Sequence, residues 1–113
     1  MNNFSSDLLM NMLDGDIEEV KELAKMLISL GPIMIEEIEE SINSKNWKNA
    51  GAVAHKLKSS LKLWQMEDLV NLSIFIEING ETSSNQEEII ENFVELKKGF
   101  ELALIAMQEE FSL

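Results

Sequence analysis

The chain holds a single histidine, His55, in the stretch "AHKLKSSL" (residues 54–61), with Lys56 beside it, Lys58 three residues on and Lys62 seven residues on. An imidazole can act as a general base, a nucleophile or a metal ligand, and each role needs different neighbours. On a helix, residues three apart lie on one face, so an ammonium at Lys58 stands within reach of an anion attached to the ring. Such a pair suits nucleophilic chemistry on an anionic group.

The charge around that pair is set apart from the rest. The 113-residue chain carries a net charge of −12, yet Ser41 to Met66 contains no Asp or Glu and holds five of the nine lysines, Lys45, Lys48, Lys56, Lys58 and Lys62. A basic patch therefore sits on an acidic body. The overall charge argues against nucleic acid or anionic lipid as partner, since either needs a concentrated cationic face. A protein or a small ligand is the expected partner. No cysteine is present, which excludes disulfides, thiolate zinc sites and cysteine nucleophiles. The start, "MNNFSSDLLM", has no basic and apolar leader pattern, and no apolar run reaches the roughly 20 residues that span a bilayer. A soluble cytoplasmic protein without membrane contact is the simplest expectation.

Helices must position these residues. The length fits one domain, residues 1–113, and no segment alternates with period two as a strand would. A short first helix is expected over Phe4 to Leu13, burying Leu8, Leu9, Met12 and Leu13. After the "DGD" break at 14–16, Asp16 with Glu19 reads as a cap. Ile17, Val20, Ala24, Leu27, Met34, Ile38 and Ile42 then keep helical phase through Gly31-Pro32, so one long, proline-kinked helix is expected from Asp16 to Asn43. Further helices are expected over Asn46 to Leu63 or Trp64, over Glu67 to Asn79, and from an Asn85/Glu88 cap to Glu110. The last of these turns Ile89, Phe93, Leu96, Phe100, Ala103 and Met107 inward. The expected architecture is all-α: an antiparallel four-helix bundle with a short extra N-terminal helix. The seven methionines read as core gap-fillers.

Several chemistries are missing their parts. A di-iron bundle needs Glu-x-x-His pairs, whereas Ala52 stands three before His55 and no second histidine exists. "DGDIEE" fails as a calcium loop because Glu19 occupies the turn-glycine position and Lys25 that of the bidentate glutamate. No Gly-rich phosphate loop occurs, and a compact bundle offers His55 no enclosed cleft for a catalytic triad. No metal or cofactor is expected on the chain, and an enzyme with its own substrate pocket is not expected.

Stepping about 100° per residue from His55, the apolar residues Ala50, Val53, Leu57, Leu61 and Trp64 gather near 180°. His55 thus centres on the solvent face, flanked by Lys48, Gly51, Ala52, Lys58, Ser59 and Lys62. Gly51 in mid-helix costs about 1 kcal/mol relative to alanine. On a solvent face it would pack against nothing, so with Ala52 and Ser59 it reads as a small-residue collar admitting another protein's surface to the ring. An exposed histidine with an anion-stabilising lysine suits a phosphoryl group.

"AHKLKSSL" resembles the His-x-Leu-Lys-[Gly/Ser]-[Ser/Ala] signature of histidine-containing phosphotransfer (HPt) domains, relay modules of multistep two-component signalling. The likeness extends to "DGDIEEVKELAKML", to "SKNWKNAGAVAHKLKSS" and to "LVNLSIFIE". It implies that the chain is one HPt domain in which His55 accepts a phosphoryl group from the aspartate of a receiver domain and passes it to another receiver. Lys58 would be its phosphoryl partner. Lys48, Gly51, Ala52, Ser59, Lys62 and Met66 would form the docking surface. Mg2+, an acidic cluster and a catalytic lysine would come from the receiver of a hybrid kinase or response regulator, and the domain itself would be a monomeric carrier. Departures are Ser59, where glycine is common, and Trp64-Gln65, where Leu-Gly is usual.

Two other readings share these residues. A histidine-kinase dimerisation hairpin also carries His-x-Leu/Ile-basic, but its box places an acidic residue directly after the histidine and a proline soon after, against Lys56 and Ser59-Ser60 here. A pseudo-HPt scaffold would dock receivers without accepting phosphate.

Overall fold

Asp16 opens the longest helix because its carboxylate accepts from the backbone N–H of Glu19 at 3.2 Å, satisfying one of the unpaired donors of a first turn. In the computed structural model, which describes residues 4–113, this is the second of five helices, and no strand occurs among the described residues. They are α1 (Asp7–Met12), α2 (Ile17–Asn43), α3 (Trp47–Leu63), α4 (Glu67–Glu81) and α5 (Gln86–Glu110). None of them is long and apolar enough to cross a membrane. Helix α2 passes through Pro32 as one element, as its unbroken apolar phase predicts.

Short connections force neighbouring helices to pack. Between α2 and α3, Lys45 takes a left-handed conformation (φ 58°), and the backbone N–H of Asn46 donates to the carbonyl of Ser41 at 2.7 Å. The α3–α4 connection repeats the arrangement: Gln65 is left-handed (φ 55°) and the N–H of Met66 donates to Leu61 at 3.0 Å. Both use up carbonyls that a helix end leaves free. Gln65 thus adopts the backbone that glycine adopts most readily, and Trp64-Gln65 makes a regular helix stop.

The core runs along the helix stripes. Ile89, Phe93, Leu96, Phe100, Ala103 and Met107 of α5 are all buried, as are Ala50, Val53, Leu57, Leu61 and Trp64 on and just beyond α3. Helix α3 packs most closely on α4 and also on α2, while α5 packs on α4 and more loosely on α2. Phe4, Trp64 and Phe111 form an edge-on aromatic cluster at one end, where the N–H of Ser5 donates to the carbonyl of Trp64 at 2.9 Å.

The structure corrects some sequence expectations. In α1 only Leu9 is fully buried, whereas Leu8 and Met12 are exposed, because six residues make fewer than two turns and present few positions to the core. Ile17, the first residue of α2, is exposed where the chain leaves the turn, and Met12 and Met26 lie on the surface rather than filling core gaps. Asn85 is left-handed (φ 50°) and makes no side-chain cap; its amide donates instead to the Asn79 side chain at 2.7 Å.

Candidate functional site

Two glycines let α3 and α4 approach closely. A Cβ built on Gly80 would stand 2.5 Å from the carbonyl oxygen of Trp47 and 3.1 Å from the Cα of Gly51. One built on Gly51 would stand 3.0 Å from the carbonyl oxygen of Glu77. Only glycine permits this spacing without a backbone shift. Gly51 is therefore buried against α4, correcting the expectation that it lies open on the solvent face to admit a partner. The small residue serves an internal approach.

That approach sets α4 beside His55. The ring Nδ1 is hydrogen-bonded to Oε1 of Glu77, and Nζ of Lys58 donates to Oε2 of the same carboxylate at 2.7 Å. The His55 side chain is 61% exposed, against 24% for Glu77 and 16% for Lys58. The Lys58 ammonium holds the Glu77 carboxyl below its ordinary value of 4.5; partial burial opposes that shift and the His55 hydrogen bond adds to it. An ionised carboxylate only accepts hydrogen bonds, so the proton in the His55–Glu77 bond belongs to Nδ1. In the neutral ring this leaves the lone pair on Nε2.

Lys58 thus spends its ammonium on Glu77 rather than standing free beside the ring. The bond to Glu77 engages one of the three N–H donors of that ammonium. Of the remaining expected residues, Lys48, Ala52, Ser59 and Lys62 are exposed with His55 on α3, and Lys56 adds a further cation. Met66 is not: it is 1% exposed, because it follows the tight stop at Gln65 and turns into the core. It is removed from the surface, as Gly51 is. Among the described residues no cluster of three His, Asp or Glu side chains is placed to hold a metal.

Glu77 was absent from the sequence reading of the site. Its signal lay in "LVNLSIFIEING", a twelve-residue stretch of α4 in which it is the only charged residue. A lone carboxylate there requires a partner, since burying a charge unpaired is unfavourable. Comparison of the chain with protein-family models, curated proteins and solved structures gives no match.

Proposed function

We propose that the chain is a phosphorelay carrier of the HPt type, its four long helices forming an antiparallel four-helix bundle, with His55 as phosphoacceptor. The observation that carries this reading is the His55–Glu77–Lys58 arrangement, a solvent-facing imidazole whose Nδ1 proton is engaged by a lysine-held carboxylate. Nε2 attacks the phosphorus of an aspartyl phosphate on a docked receiver domain. The N–P bond forms as the P–O bond to the aspartate breaks, and the leaving electron pair restores that carboxylate. The proton stays on Nδ1, and the Glu77 carboxylate offsets the positive charge the ring acquires. The lysines around His55 favour the incoming anion, and on an exposed helix face no second base stands ready to activate water against the product.

The receiver would dock over Lys48, Ala52, Ser59 and Lys62, its acidic phosphorylation site facing the basic patch. An apolar groove of about 250 Å³ between α1, α2 and the last turn of α3, bordered by Met26, Leu30 and Leu63, would offer it apolar contact. The kinase-hairpin reading is disfavoured because α3 is already enclosed by α2 and α4 of its own chain.

The test is to incubate the protein with phosphorylated receiver domains and follow acid-labile, base-stable phosphate onto it by intact mass and peptide mapping. Label on His55 supports the relay reading. Receivers that bind without transferring phosphate would instead make the domain a docking scaffold.

A further inference from the structure

Helix α5 lies across the core from α3 and carries its own stripe on the outer surface. Val94 is 60% exposed, Ile105 53%, Leu102 51% and Ile90 44%. Between the apolar ends of that stripe stand Lys98 and Glu101, and neither makes an ion pair with a described residue. Isolated exposed apolar side chains need no explanation, but here four recur with helical spacing on one element around two unpaired charges of opposite sign. Ile90 and Val94 also rim a groove of about 400 Å³ between α5 and α2, the looser of the seams that α5 makes with α4 and α2.

We infer that this face binds a second copy of the chain, two α5 helices packing antiparallel about a two-fold axis between Gly99 and Phe100. A two-fold interface must be self-complementary, and this register is. Val94 meets Ile105 of the second copy, Lys98 meets its Glu101, and both pairs recur on the other side of the axis. The seven carboxylates of α5 all face something other than a carboxylate. Moving the axis to Lys98 would set Glu95 against Glu101, and moving it to Glu101 would set that residue against its own copy. Of the registers that keep like charges apart, this one pairs Lys98 with Glu101 while bringing Val94 onto Ile105, despite the net negative charge of each chain. The assembly departs from the monomer that the HPt resemblance implies. It leaves both His55 side chains on opposite outer faces, so it is independent of the relay reading and compatible with it.

The experiment is sedimentation equilibrium on the wild-type chain up to high micromolar concentration at physiological salt, with circular dichroism as a control for helicity. A reversible monomer–dimer equilibrium is expected. Lys98→Glu and Glu101→Lys should each weaken it by at least about tenfold by opposing like charges. The double reversal Lys98→Glu with Glu101→Lys should restore it. A wild-type chain that stays monomeric overturns the proposal. So does a dimer indifferent to the single reversals, or one that the double reversal fails to recover.

Discussion

Gly51 and Gly80 meet where α3 crosses α4, so close that a Cβ on Gly80 would stand 3.1 Å from the Cα of Gly51. Gly51 is one turn before His55 and Gly80 lies three residues after Glu77. The crossing therefore sets the distance over which the carboxylate reaches the ring.

Substitution at the two glycines should not be equivalent. Gly80→Ala drives a methyl into the carbonyl oxygen of Trp47, a backbone atom that cannot swing aside, and should cost about 1–3 kcal/mol. Gly51→Ala meets a looser contact and gains helix propensity of about 1 kcal/mol, so its net effect should be smaller. Gly51→Leu should destabilise strongly. Urea unfolding of the three variants checks the order, and a stable Gly51→Leu protein would contradict the close crossing.

His55→Gln should abolish phosphate acceptance while changing stability by no more than about 0.5 kcal/mol, because the side chain is mostly exposed. Incubation with a phosphorylated receiver, read by intact mass and thermal unfolding, tests both halves. Persistent labelling would remove His55 as the acceptor.

If Lys58 acts by holding Glu77, the single variants Lys58→Ala and Glu77→Gln should slow transfer to a similar degree. The double variant should be little slower than either alone, since residues acting through one network are not additive. If Lys58 instead binds the phosphoryl group directly, the two effects should multiply. Single-turnover transfer rates from one receiver distinguish the cases.

The Glu77 carboxyl is held below its ordinary value in the folded protein, so its ion pair contributes stability that is fully present above about 4.5. That contribution is lost as pH falls through the lower folded value, where the carboxyl takes up its proton. The stability difference between wild type and Glu77→Gln should therefore close as pH falls below about 4.5. For this partly buried pair the difference above that pH should be roughly 1 kcal/mol. Denaturant titrations at a series of pH values check it; a gap that widened below about 4.5 would reverse the assignment.

The helices, the cap at Asp16 and the outward aim of His55 were all legible in the chain. Each depends on residues a few positions apart: periodicity places a side chain relative to the apolar stripe of its own helix, and capping is settled within a turn. The positions that misled were those whose surroundings come from another helix. Gly51 falls on the polar side of α3 by angle, yet α4 covers it, because two glycines bring the axes closer than side chains ordinarily permit. Met66 follows a polar turn, and only the left-handed backbone at Gln65 aims it inward. Glu77 is 22 residues from His55, and no periodicity within either helix reports which face of one meets which face of the other. That pairing was decided by the crossing of α3 and α4, where steric contact between backbones fixed the angle at which a carboxylate and an imidazole meet.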